Sequence, residues 1–251
     1  MTLEEFFAAH PRPALAFSGG TDSAFLLWAA RRCGCRVRAY YVRTPFQPAF
    51  ERRDALRLAE ELDVPLTVVD VDIFAVPEVA ANGPERCYHC KRAIFTRLWE
   101  AARADGCDVL MDGTNASDDA ADRPGMRALR ELGVRSPLRE CGIPKEEVRR
   151  RSREAGLFTW DKPAYACLAT RVPTGRPVTE ALLRRAEGAE QALAALGFSD
   201  FRARLAGEDI RLEVTAAQLP LVLERREEIV RALRPYAGHV LLDLAGRQPS
   251  R

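Results

Sequence analysis

No stretch of this 251-residue chain approaches the roughly 20 consecutive apolar residues that a bilayer-spanning helix needs. A membrane protein is therefore not expected. No polybasic run is present either: 38 Lys and Arg stand against 36 Asp and Glu, a formal net charge of +2. That balance lacks the footprint of a dedicated nucleic-acid binder, so nucleic acid is not an expected partner. The opening residues, Met1 to Phe7, are acidic where a secretory leader would be basic. Seven cysteines are an odd number and do not make up a disulfide framework. These absences together point to a cytoplasmic protein. No internal repeat is evident, and the length accommodates one large or two small domains.

What is present is an alternation of strand and helix patterns through the first half. Apolar runs at Ala14–Phe17, Arg36–Val42, Leu66–Val71 and Val109–Asp112 read as strands. Helical patterns at Asp22–Arg32, Phe50–Leu62 and Cys90–Ala104 separate them. This rhythm predicts an α/β fold, a doubly wound, mostly parallel sheet with helices on both faces. In such sheets the ligand crevice lies at the carboxyl ends of the strands, where Ser18, Val42 to Thr44 and Gly113 to Asn115 fall. A helix over 144–156 closes this domain, taken as residues 1–158. The irregular, apolar stretch 159–178 follows as a functional connecting loop. Residues 179–246 carry a long helix to about Leu196, strands at Phe201–Leu205 and Ile210–Val214, a helix near Leu219–Leu233 and a strand at Val240–Leu244. They read as a smaller α+β domain, with 247–251 as a frayed tail.

Ser18-Gly19-Gly20-Thr21-Asp22-Ser23 joins the first strand to the first helical pattern. Glycines let backbone N–H groups approach an anion, and the helix start adds unpaired donors and a partial positive charge. No Gly-Lys-Ser/Thr follows, so this is not a Walker A loop. The second polar turn, Asp112-Gly113-Thr114-Asn115 with Asp118 and Asp119, follows the fourth strand. By itself it reads equally as an ordinary capped loop. Asp22, Asp118 and Asp119 supply the hard oxygen donors that Mg²⁺ takes when it shares phosphates.

Cys33, Cys35, Cys107 and Cys141 read as small buried apolar residues. Cys87-Tyr88-His89-Cys90 instead opens a helix with Arg86, Lys91 and Arg92 around it, a setting that favours reactive thiolates. Cys167 stands between Lys162 and Arg171, cations suited to a thiolate or a phosphate. Three thiols without a fourth suit a [4Fe–4S] cluster with one open iron, or one nucleophile and two bystanders.

The SGGTDS loop resembles the pyrophosphate loop of the ATP pyrophosphatase (PP-loop) superfamily. Taken with Glu85–Arg92, residues 112–138 and Trp160–Arg171, the chain resembles the LarE family of ATP-dependent sulfur-insertion enzymes from about residue 12 to 245. The resemblance implies that ATP adenylates the carboxylates of a pyridinium-3,5-biscarboxylic acid mononucleotide and that sulfur converts them to thiocarboxylates for a nickel-pincer cofactor. It implies Ser18, Gly19, Gly20, Thr21, Asp22 and Ser23, with Gly113, Thr114 and Asn115, as the ATP site, and Asp22 and Ser23 with Cys167 as catalytic. Arg171, Arg202 and Arg204 are the implied substrate-phosphate residues, and Glu190 joins Asp22 and Asp118 as a Mg²⁺ ligand. Cys87, Cys90 and Cys167 either hold a [4Fe–4S] cluster or leave Cys167 to give up its own sulfur. Relatives assemble into homo-oligomers, and the sulfur donor stays open. A tRNA thiolation enzyme of the same superfamily, or a non-catalytic nucleotide-binding or zinc module, are the competing readings.

Overall fold

The computed structural model describes residues 1–118 and 124–247. Asp119, among the expected metal ligands, lies outside the described residues, as do residues 248–251 of the expected tail. The chain forms two compact units. One comprises Met1–Val79 and Glu85–Lys162; the other comprises Ala80–Pro84 and the chain from Pro163 onward.

The first unit is built on a four-stranded, all-parallel sheet of β1 (Pro13–Ala16), β2 (Arg38–Arg43), β3 (Leu66–Asp70) and β4 (Val109–Met111), in the order β3-β2-β1-β4. Successive side chains of a strand point to opposite faces. Accordingly Leu15, Ala39, Tyr41 and Met111 join one core, and Ala14, Tyr40 and Leu110 join the other. The first core is completed by α1 (Leu3–Ala9), α2 (Thr21–Arg32) and α8 (Lys145–Glu154), through Phe6, Phe25, Leu26, Leu27 and Val148. The second is completed by α5 (Arg86–Ala104) and α6 (Pro124–Glu131), through Phe95, Leu98 and Leu129. Helices therefore cover both faces, as the apolar runs required.

The observed elements differ from the sequence reading at several points. Helix α1 went unread, although Thr2 and Glu5 form a reciprocal capping box at its start. Helix α5 begins at Arg86, so both Cys87 and Cys90 lie inside its first turns. Helix α3 (Ala49–Glu61) matches its pattern within a residue, whereas α7 (Pro137–Glu140) is too short to show a period. The latter is tied to the sheet because Met111 bridges Arg135 and Arg135 Nε donates to Glu140 at 2.9 Å. That donation holds the Glu140 carboxyl below its ordinary range. A depressed acid stabilises the fold above its unfolded pKa and loses that contribution as pH falls through the folded value. Glu140→Gln is thus expected to cost up to about 1 kcal/mol at neutral pH. The gap from wild type should shrink below about pH 4, as read by urea unfolding at the two pH values.

In the second unit, β5 (Arg202–Ala206) pairs antiparallel with β6 (Asp209–Glu213), which pairs parallel with β7 (Val240–Leu242). Helix α9 (Glu180–Ala195) covers the sheet with Leu183, Ala186, Ala189 and Leu193 buried. The helix expected near Leu219–Leu233 is broken into α10 (Leu219–Glu224) and α11 (Arg226–Leu233). At the break, Arg225 leaves helical geometry and its Nη1 donates to Leu196 O. Asn82 ties Ala80–Pro84 to this unit: its Nδ2 donates to Pro173 O and Arg176 O, both at 2.9 Å.

Candidate active site

The strand order reverses beside β1: the chain moves outward through β2 and β3, then crosses to β4 on the other side. In open sheets of this kind ligands bind outside the carboxyl ends of the strands beside such a switch point, here β1 and β4. Two polar turns meet there. Gly19 has φ +70, and a Cβ on it would lie 2.9 Å from Ala55 N. Ser18 Oγ and Ser23 Oγ are 3.1 Å apart across the turn, and Ser18 Oγ accepts from Gly20 N at 3.3 Å. Gly20 caps α2 with no side-chain bond, which leaves the first-turn N–H groups to an anion. Thr21 Oγ1 donates to Thr159 O at 2.7 Å and anchors the turn from beneath.

From the second turn, Gly113 presses against α2: a Cβ there would stand 2.9 Å from Ser23 N. Gly113→Ala is expected to cost about 1–3 kcal/mol by overpacking. The same change should weaken ATP binding, because the displaced group is the helix start; denaturant unfolding and ATP titration read the two effects. Asn115 Nδ2 donates to Asp22 Oδ1 at 3.3 Å, and Asn115 N donates to Asp118 Oδ2 at 2.9 Å. Thr114, expected at the nucleotide, is engaged with Asp112 through both N–H and hydroxyl. Thr44, at the end of β2, is likewise buried in its own turn with Gln47.

Two lysines complete the site. Lys145 Nζ donates to Asp22 Oδ2 at 2.6 Å, and Lys162 Nζ reaches Gly19 O at 3.3 Å and the Asp54 carboxylate. Burial pushes the Asp22 carboxyl up, Lys145 pulls it back, and the charge of Asp118 adds to the rise. Lys145 was missed in the sequence. Its one signal is that it begins α8, where a cation opposes the helix dipole and so invites an outside partner. Lys162, expected as a partner for thiolate or phosphate, stands at the glycine turn after β1.

Cys87 and Cys90 stand one helical turn apart on α5, the first exposed and the second half-buried. Arg86 Nη2 lies 3.7 Å from Cys87 Sγ. A cavity of about 600 Å³ opens along the same helix past His89, lined by Arg92, Ala93 and Thr96 and by Asp70 to Asp72. Of the cysteines expected to be inert, Cys35 is buried and Cys107 and Cys141 are half-buried, and burial pushes all three thiols up. Cys33 departs from expectation: it caps the end of α2 and is exposed.

In the second unit Cys167 is half-buried and precedes the 3-10 turn Leu168–Arg171. Arg171 and Glu190, expected on a phosphate and a metal, are instead each other's partners, Nε to Oε1 at 2.7 Å and Nη2 to Oε2 at 3.0 Å. Arg202 is 4% exposed, and its pKa is pushed down to about 10 by burial and then by the charges of Arg171 and Arg247. Arg204 Nε meets Glu213 and its Nη1 donates to Thr170 O at 2.8 Å. Among the described residues, no group of three or more His, Cys, Asp or Glu side chains is gathered as a metal site.

The chain is 34% identical over 250 residues to an uncharacterized protein of Synechocystis, across 98% of this chain and 93% of that one. It is 31% identical over 243 residues to the pyridinium-3,5-bisthiocarboxylic acid mononucleotide synthase of Lactiplantibacillus plantarum, across 96% and 88%. A tRNA-specific 2-thiouridylase MnmA of Methylobacterium is 30% identical over 205 residues, 66% of this chain and 53% of that protein. No family model matches the chain. A parallel sheet with a glycine turn at its switch point, in a chain with these relatives, defines an ATP-dependent sulfurtransferase of the PP-loop class. Within that class the chain belongs to the pyridinium-3,5-bisthiocarboxylic acid mononucleotide synthase (LarE) family.

Proposed function

We propose that this protein converts both carboxylates of pyridinium-3,5-biscarboxylic acid mononucleotide to thiocarboxylates, in the cytoplasm, for a nickel-pincer nucleotide cofactor. The observation that carries the reading is the near full-length similarity to the synthase, against thiouridylases of which the chain spans about half.

A substrate carboxylate oxygen attacks the α-phosphorus of ATP, and pyrophosphate departs. The N–H groups of Ser18 to Ser23, with Lys145 and Lys162, stabilise the charge that develops on the phosphates. A sulfur nucleophile then adds to the acyl carbon, and the C–O bond to AMP breaks. Where Cys167 gives its own sulfur, its thiolate forms a thioester, the Cα proton is lost and the Cβ–S bond breaks. The products are a thiocarboxylate and dehydroalanine. Arg202 and Arg204 supply positive charge for the substrate phosphate, and Arg204 keeps Nη2 outside its bonds to Glu213 and Thr170.

Two groups are proposed on residues of this chain by the type of donor those residues supply. Asp22 and Asp118 are oxygen donors close enough for one charge to raise the other's carboxyl, the donor type Mg²⁺ takes. When bound, Mg²⁺ would offset charge on the departing pyrophosphate. Cys87 and Cys90, one turn apart beside a guanidinium, are a soft pair suited to iron, and Cys167 is the third thiol of the proposed set. A [4Fe–4S] cluster on them would offer an open iron for exogenous sulfide.

Two measurements test this reading. Anaerobic incubation with ATP and the biscarboxylic mononucleotide is expected to release pyrophosphate and give thiocarboxylate. Activity only on tRNA, held at physiological salt, would overturn the reading in favour of thiouridylation. Iron and acid-labile sulfide should each count about four per chain after oxygen-free purification; no iron after attempted rebuilding assigns Cys167 the sacrificial role.

A further inference from the structure

The loop that carries Cys167 is held from behind by three arginines. Arg202 Nη2 donates to Ala164 O at 2.7 Å. Arg171 Nη1 donates to Ala166 O at 2.9 Å and lies 3.4 Å from Cys167 O. Arg204 Nη1 donates to Thr170 O at 2.8 Å. Thr170 Oγ1 closes the arrangement, accepting from Arg171 Nη1 and donating to Cys167 O, both at 2.8 Å. Backbone carbonyls on both sides of the thiol are thereby fixed by charged donors, which form the stronger class of hydrogen bond.

One carboxylate organises this set. Glu190 receives the Nε and Nη2 N–H groups of Arg171, the backbone N–H of Ala203 at 3.0 Å, and the Tyr165 hydroxyl. The Tyr165 ring lies against two guanidiniums, 4.5 Å from Arg171 and 5.1 Å from Arg202. Arg171 is 1% exposed and Glu190 6%. A carboxylate with four donors on its two oxygens has its lone pairs directed at protein rather than at a metal ion.

We infer that Glu190, with Tyr165, is a positioning residue: it anchors the arginine clamp that sets the backbone of the Cys167 loop. The inference rests on the reading that Cys167 takes part in sulfur transfer. Attack on an acyl carbon demands a thiol or its sulfur held to a fraction of an ångström, and a 1 Å misplacement costs about a hundredfold. The clamp supplies that constraint through the main chain. It also leaves three guanidiniums against Glu190 and Glu213, a positive surplus beside the loop that receives an anionic acyl-adenylate.

The test uses the full chain, with two variants. Glu190→Gln leaves a buried guanidinium poorly paired and is at risk of not folding. Tyr165→Phe removes one hydroxyl bond and keeps the ring. For Tyr165→Phe, thiocarboxylate formation is expected to fall about tenfold, the worth of one charge-assisted hydrogen bond. KM for ATP and the Mg²⁺ concentration for half-maximal rate should stay at wild-type values. Amide hydrogen exchange over residues 164–171 should accelerate while α2 stays as protected as in wild type. Glu190→Gln, where it folds, should show the same pattern with a loss on the order of a hundredfold. Recovery of Glu190→Gln at raised Mg²⁺ would make Glu190 a metal ligand and overturn the inference. Unchanged exchange over 164–171 in the folded variants would overturn it as well. A Cys167→Ala protein that still forms product, with the exchange result intact, removes the chemistry assigned to Cys167 and leaves the clamp standing.

Discussion

Asp22→Ala is expected to cut ATP-dependent pyrophosphate release by on the order of a thousandfold, the size of effect that follows loss of a preorganised charge at a reacting phosphate. Asp22 is where the two polar turns are joined: Asn115 reaches it from after β4 and Lys145 from the start of α8. Removing its carboxylate frees both from the crevice and deletes a candidate metal oxygen. The fold should survive, because the core beneath, Leu15 with Phe25 and Leu26, does not include this side chain. The cost is confined to a half-buried ammonium left unpaired, about 1–3 kcal/mol. A pyrophosphate assay beside a thermal melt separates the two effects. Asp22→Asn sharpens the result, since it keeps a hydrogen-bond acceptor for Lys145 and removes the charge. Release within tenfold of wild type in the alanine variant would remove the β1 turn from the mechanism.

Cys167→Ala is expected to leave pyrophosphate release detectable and to eliminate thiocarboxylate. Activation and sulfur transfer are separate bond-breaking events: the phosphate chemistry is proposed for the turns after β1 and β4, and the thiol stands in the second unit. Trapped acyl-adenylate should then accumulate or hydrolyse, and AMP should appear without thiolated product. Product from this variant would sink the assignment. Cys87→Ala divides the two sulfur routes. It should lose iron and product together if the three thiols act as a set, and keep one turnover per chain if Cys167 gives up its own sulfur. Mass spectrometry of the wild-type chain after one turnover reads the same choice, as loss of H₂S from Cys167 or an unchanged residue.

The parts of this protein legible in the linear chain are those whose physics is local. A strand buried on both faces needs a continuous apolar run, so β1, β2 and β4 stood out. A phosphate turn needs glycine at a positive φ and a helix start directly after it, so Ser18 to Ser23 did too. Pairing across long separations was not legible. Lys145 meets Asp22 over 123 positions, and Lys162 meets Asp54 over 108. Arg171 and Glu190 read as separate ligands for phosphate and metal until the fold put each against the other. Sequence by itself determined the fold class and a glycine turn set directly before a helix start. Tertiary structure alone decided the strand order that sets the switch point between β1 and β4, the lysines that reach the turns there, and the arginines that hold the Cys167 loop. The reason is that a long flexible side chain carries no local imprint of its partner: its charge is written in the sequence, and its direction is settled only by packing.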